Sequence, residues 1–174
     1  RTGGCWPTPT TSARWWRVPG TCGAEILSQV PDVSTVLAAV GGGGLIGGIA
    51  SAIRGDARII GVETEGTSTL HKARRAGHPV DIEVGGLAVS SLGASRFGEI
   101  PWEAAQKWVD DSLLVTDGAV RQAQRFLWST CRLVVEPGAA APMAALLSGV
   151  YQPEPGEALV VVISGANTDP GSVG

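Results

Sequence analysis

The chain has 174 residues, 44 % of them hydrophobic and 17 % charged, with a formal net charge of −3. That balance describes a globular protein with a real core and excludes a disordered chain. It also leaves no basic footprint for nucleic acid. Cys5, Cys22 and Cys131 form no CxxC pair and leave one thiol over in any disulfide scheme. They read as reduced thiols of a cytoplasmic protein, and no chemistry is assigned to them.

Residues 1–20 differ from the rest. They carry Trp6, Trp15 and Trp16, half of the 6 tryptophans, and neither an acidic residue nor an aliphatic period. Arg14-Trp15-Trp16-Arg17 forms one basic-aromatic cluster, too little for a nucleic-acid or membrane assignment. No apolar core of a signal peptide is present, and the first residue is not methionine. The plainer reading is an atypical leader outside the native domain, which then occupies residues 21–174.

From Thr21 onward, strand and helix patterns alternate. Val33–Val40 is a short β-branched run and predicts a buried strand. Gly41-Gly42-Gly43-Gly44 follows, and Leu45–Arg54 suits a helix. Ala57–Glu63 predicts a second strand. Gly66–Ala76 predicts a helix capped by Thr67 or Ser68 and ending in Lys72, Arg74, Arg75 and Gly77. Pro101 opens a helix through Val109, and Ser112–Val115 predicts a third strand. Asp117 suits the N-cap of the next helix, where Val120, Ala123, Leu127 and Cys131 share one face. Pro137–Ser148 is a helix of small residues, and Ala158–Ser164 a continuously apolar strand. The fold class is therefore α/β, a three-layer αβα arrangement with a largely parallel sheet.

Val33 to Ile53 is uncharged and long enough to span a bilayer, with Gly43/Gly47 and Gly44/Gly48 at GxxxG spacing. Its glycines make a poor spanning helix and no basic flank orients it, so no membrane segment is expected.

The glycine run carries the functional signal. Each glycine inside a regular element costs about 1 kcal/mol against alanine. A bare backbone before a helix can gather N–H groups around a phosphate. Gly42-Gly43-Gly44-Leu45-Ile46-Gly47 also satisfies GxGxxG, with Glu63 ending the next strand, as a Rossmann dinucleotide site requires. The glycines could also serve only close helix-to-strand packing, leaving a folded remnant without a ligand.

Five segments in order discriminate further: Pro19-Gly20-Thr21 with Ala24-Glu25-Ile26, Val40 to Gly48, Gly61-Val62-Glu63, Val135-Glu136-Pro137-Gly138-Ala139-Ala140, and Ile163-Ser164-Gly165-Ala166-Asn167. Together they resemble the C-terminal half of the fold-type II pyridoxal-phosphate enzymes, nearest to threonine/serine dehydratases and serine racemase. The resemblance covers about Gly20 to Asp169.

It implies that the backbone N–H groups of Gly41, Gly42, Gly43, Gly44 and Leu45 hold the 5′-phosphate of pyridoxal 5′-phosphate. It implies that Ser164 hydrogen-bonds the pyridine nitrogen, making a milder electron sink than an aspartate would. Glu136 then lies near the ring. The implied parent is an ammonia-lyase that turns serine or threonine into a 2-oxo acid and ammonia, as a cytoplasmic homodimer.

Such enzymes need a Schiff-base lysine, which the family places in its N-terminal half, in a Ser-x-Lys-x-Arg-Gly type of motif. That motif is not in this sequence. Lys72 and Lys107, the only lysines, sit in charged helical surroundings, so the catalytic residue is unknown and the chain reads as an inactive fragment. Ala166 replaces a glycine common in the family. Gly85-Gly86-Leu87-Ala88 stands where some relatives carry an acidic cation ligand, so no metal is expected. His71 and His78 read as surface residues.

Overall fold

The computed structural model describes residues 17–172. Most of the expected leader, with Cys5 and the tryptophans before residue 17, lies outside the described residues. The first helix, α1, spans Arg17–Gln29 and so takes in Arg17–Gly20.

The sheet is built from β1 (Thr35–Ala39), β2 (Arg58–Thr64), β3 (Asp111–Val115) and β4 (Leu159–Val161). All pairs are parallel and the spatial order is β3-β2-β1-β4. β-Branched and aliphatic residues fill these strands, and alternation sends neighbours to opposite faces. Val36, Ala38 and Ile59 join one buried cluster, while Leu37, Ile60 and Val62 join another.

The first face is covered by α1, by α2 (Gly44–Ile53), α3 (Thr69–Ala76) and, after the short α4 (Val89–Leu92), by α5 (Glu99–Trp108). The second is covered by α6 (Asp117–Phe126) and α7 (Pro137–Leu147). The result is the expected three-layer αβα fold. In α7, alanines let the helix lie close on the sheet, Ala139, Ala140, Ala141, Ala144 and Ala145 all being buried, while Gly138 allows close approach of α4, where a Cβ would fall 2.7 Å from Ser91 Oγ.

Several local expectations need correction. Ser68 stands at the N-cap position of α3, its carbonyl accepting Lys72 N–H at 3.1 Å, but neither hydroxyl caps the helix: Thr67 Oγ1 pairs with Thr64 Oγ1 at 2.8 Å, and Ser68 Oγ donates to Glu65 O at 3.3 Å. The first turn of α3 is held instead by Glu63, and residues Glu65–Thr67 form a 3₁₀ turn before it.

Asp117 is not the N-cap of α6. Thr116 is, its Oγ1 accepting Ala119 N–H at 3.2 Å, which leaves Asp117 to accept Leu87 N–H at 2.8 Å. The helix then widens into a π turn at Leu127–Cys131, which rotates Cys131 out to solvent.

β4 is shorter than Ala158–Ser164 and only half-buried. Among the described strands it pairs only with β1, so continuous apolarity does not mark full burial here. The turn leading into it is tied to β1 through Glu157. Its carboxylate accepts from Thr35 Oγ1, from Tyr151 Oη at 2.5 Å and from Glu154 N–H at 2.9 Å. Those donors, Thr35 foremost, hold Glu157 below the usual glutamate range.

Candidate functional site

Chain direction reverses its spread across the sheet between β1 and β4. From β1 the chain moves outward to β2 and β3, then returns to place β4 on the other side of β1. Loops leaving neighbouring parallel strands at such a point separate and open a crevice at the strands' carboxyl ends. A cleft of about 470 Å³ lies there. Gly41, Gly42, Gly43, Gly44 and Leu45, which follow β1, line it, and so does Ser164, beyond β4. Glu136, at the head of α7, is also on its lining, as are Ser91 and Leu92 of α4. All the residues assigned to the cofactor from sequence are thus brought to one place.

The glycine loop is shaped for N–H display. Gly43 takes φ +88°, and a Cβ there would lie 2.4 Å from the buried ring of Phe97. The conformation therefore requires glycine. The loop carbonyls are directed elsewhere: Thr69 Oγ1 donates to Gly41 O at 2.5 Å, Gly98 N–H to Gly42 O at 3.1 Å and Gly47 N–H to Gly43 O at 2.9 Å. The N–H groups of Gly42, Gly43, Gly44 and Leu45 make no such turn or loop bond among the described residues. The first turn of any helix adds N–H groups that no carbonyl of that helix can reach. Their partial positive charge and the absence of acidic residues from the first turn of α2 suit an anion.

Beyond the loop, the cleft lining includes the polar side chains of Ser91, Glu136 and Ser164. Ser164 is exposed, and its hydroxyl makes no hydrogen bond among the described residues. Glu136 N–H donates to Gly165 O at 3.2 Å, which holds the post-β4 loop against the N-terminus of α7. Gly138 N–H donates to Ser91 Oγ at 2.8 Å and ties α7 to α4. Helix α4 was not anticipated, because Val89–Leu92 is too short to show a helical period.

The dinucleotide alternative fails on Glu63. Its carboxylate does not face the cleft. It is fully buried and accepts from Leu70 N–H (2.7 Å), His71 N–H (2.8 Å) and Ser112 Oγ (2.9 Å), with Thr69 Oγ1 3.2 Å from its Oε1. Burial pushes this carboxyl up to about 7 in spite of those donors. A side chain so engaged cannot receive a ribose hydroxyl.

A family model described as pyridoxal-phosphate dependent enzyme matches residues 1–165. The chain belongs to this family. Among curated relatives, L-threonine dehydratase biosynthetic IlvA of Pasteurella multocida is 33% identical over 152 residues, covering 85% of this chain and 30% of that protein. L-threonine ammonia-lyase of Geobacter sulfurreducens is 38% identical over 158 residues, covering 86% of this chain and 38% of that protein. The chain thus spans about a third of the length of these relatives.

Solved structures agree on the fold. A threonine deaminase from T.th. superposes with a TM-score of 0.84 at 30% identity, covering 92% of this chain and 60% of that one. Maize serine racemase gives 0.86 at 28% identity, covering 95% and 52%. The pyridoxal-phosphate dependent family membership also displaces the dinucleotide reading of the loop.

The residues present fit such a cofactor. The N–H groups and helix N-terminus at Gly41 to Leu45 suit a phosphate, and Ser164 offers the cleft a hydroxyl that makes no hydrogen bond among the described residues. Lys72 and Lys107 are exposed and neither lines the cleft. No group of His, Cys, Asp and Glu able to hold a metal ion occurs among the described residues. Nor is any helix among them long and apolar enough to cross a membrane.

Proposed function

We propose that this chain supplies the cofactor cradle of a pyridoxal-phosphate-dependent ammonia-lyase acting on threonine or serine. The observation that carries the reading is the meeting of the glycine loop after β1 with Ser164 after β4 at the point where the strand order turns. The backbone N–H groups of Gly41 to Leu45 bind the phosphate, and the α2 N-terminus adds its positive end. Ser164 holds the ring nitrogen as a hydrogen-bond donor and leaves it uncharged. Glu136, on the cleft lining at the head of α7, would lie near the ring. When bound, the cofactor provides an electron sink that weakens bonds at an amino acid's Cα.

Moving the Cα proton needs a base. Neither lysine of this chain stands at the cleft, so cradle and base are divided, the base coming from outside residues 17–172. A homodimer in the cytoplasm, where the free thiols Cys22 and Cys131 stay reduced, is the setting we assign.

Titration calorimetry with pyridoxal phosphate, inorganic phosphate and NAD tests the cradle. Binding of the first two and indifference to NAD is expected. Borohydride reduction followed by peptide mapping is expected to label neither Lys72 nor Lys107 specifically. Stoichiometric labelling of either, with 2-oxo acid formed from threonine, would overturn the division of labour.

A further inference from the structure

The carbonyls of the glycine loop are pinned in different ways. Gly42 O and Gly43 O are held by backbone N–H groups, those of Gly98 and Gly47. Gly41 O is held by a side chain, the hydroxyl of Thr69, at 2.5 Å. Thr69 opens α3 and is fully buried. It comes from a different crossover than the loop it touches, so the contact joins α3 to the end of β1. In a trans peptide, the C=O of one residue and the N–H of the next point in opposite directions. Holding Gly41 O toward α3 therefore turns Gly42 N–H to the other side of the loop, and Gly42 lines the cleft.

We propose that Thr69 is a positioning residue of the phosphate cradle: its hydroxyl fixes the Gly41–Gly42 peptide so that Gly42 N–H faces the bound phosphate. The inference rests on the cradle reading above and adds to it the part that a side chain controls. Without Thr69, the Gly41–Gly42 peptide is free to rotate, because neither residue has a Cβ to restrict it. An anion would then have to order that peptide on binding, at a cost in affinity. Thr69 itself is oriented by its place at the α3 N-terminus and by Glu63, whose Oε1 lies 3.2 Å away. That link runs on through Ser112 Oγ to β3. The loop's geometry is thus referred to a buried polar cluster and not to the cleft alone.

The test uses the full chain with Thr69→Val, which keeps the shape and removes the hydroxyl, and Thr69→Ser, which keeps the hydroxyl. Affinity for pyridoxal phosphate and for inorganic phosphate is measured by calorimetry, and amide exchange of Gly42 is measured in the ligand-free protein. Thr69→Val is expected to weaken both ligands about tenfold and to speed Gly42 exchange, whereas Thr69→Ser stays within about threefold of wild type. Thr69→Ala, which also lacks the hydroxyl and cannot clash, replaces the valine variant if that one does not fold. Equal behaviour of the hydroxyl-free and serine variants in both measurements overturns the proposal, since the effect would then be one of packing. Failure of the wild-type chain to bind either phosphate compound sinks the cradle reading instead, and Gly42 exchange still decides the role of Thr69.

Discussion

Glu136 and Gly165 are in such close approach that a Cβ on Gly165 would fall 2.3 Å from Glu136 Oε1. The glycine following Ser164 thus makes room for a carboxylate on the cleft wall, and Gly165 O accepts Glu136 N–H at 3.2 Å. The two segments that sequence resemblance singles out near the cofactor ring are in this way one packed unit.

Gly165→Ala should be cheap for the fold but disruptive for the cleft. The obstructing atoms are the far end of a flexible side chain, which can swing aside, so the loss of stability is expected at about 1 kcal/mol. The displaced carboxylate then intrudes on the space beside Ser164. Pyridoxal-phosphate affinity by calorimetry should fall several-fold, while Gly165→Ala combined with Glu136→Ala should recover most of it. An unfolded single variant, or no recovery in the double variant, would contradict this account.

Adjacent glycines of the loop should respond in opposite ways to alanine. At Gly43 the φ of +88° and the Phe97 ring at 2.4 Å leave no room, because Phe97 is fully buried and cannot yield. Gly43→Ala is expected to cost about 3 kcal/mol or more in a denaturant melt. At Gly44 a Cβ meets nothing within 4 Å, so stability should change by less than about 0.5 kcal/mol. The added methyl nevertheless stands where the phosphate is cradled, and affinity for inorganic phosphate should fall about tenfold. Equal melts for the two variants would show that the loop is not built as described.

The fold class was legible because β-branched runs such as Arg58–Thr64 and helix signals such as Pro137 act locally. The glycine run was legible because four bare residues between a strand and a helix are costly unless the backbone is put to use, and Ser164 through the family resemblance; the structure brings both to one cleft. What stayed hidden depends on contacts distant in sequence. Thr69 bonds Gly41 O across 28 positions, and nothing near Thr69 announces it. Glu63 matched a ribose-binding pattern, but only the fold shows its carboxylate turned onto α3 and β3. The half-burial of β4 likewise follows from its place in the sheet, which its apolar residues cannot reveal.

Strand β4 should make the chain associate. In a strand, successive N–H groups point to opposite edges. Val162 N–H bonds Leu37 O, so Val161 N–H faces the side where no described strand pairs. Half-buried valines flank it, a combination that templates further pairing. Sedimentation velocity is expected to show concentration-dependent association, and amide exchange at Val161 should slow as the concentration rises. A monomer over the whole range, with Val161 exchanging at one rate throughout, would rule this out.

The buried carboxyl of Glu63 should give the fold a pH dependence of unusual sign for an acid. Its folded value is about 7, against an ordinary 4.5, because burial outweighs its hydrogen bonds. Between these values the folded chain holds a proton that the unfolded chain has released. Stability contributed by this group is therefore complete below pH about 4.5, falls as pH rises to about 7 and is flat above, with a total change of about 3 kcal/mol. Glu157, held below its usual range, acts in the opposite sense and only at more acidic pH. Comparison with Glu63→Gln isolates the effect. An amide keeps the volume but places a donor near His71 N–H and Ser112 Oγ, which costs about 1 kcal/mol at every pH. The stability of wild type minus that of the variant should thus fall steadily with pH, from about 1 kcal/mol in favour of wild type below pH about 4.5, through zero near pH about 5, to about 2 kcal/mol in favour of the variant above pH about 7. A difference independent of pH over that range would mean that Glu63 is ionised throughout, and that its α3 and β3 donors outweigh its burial.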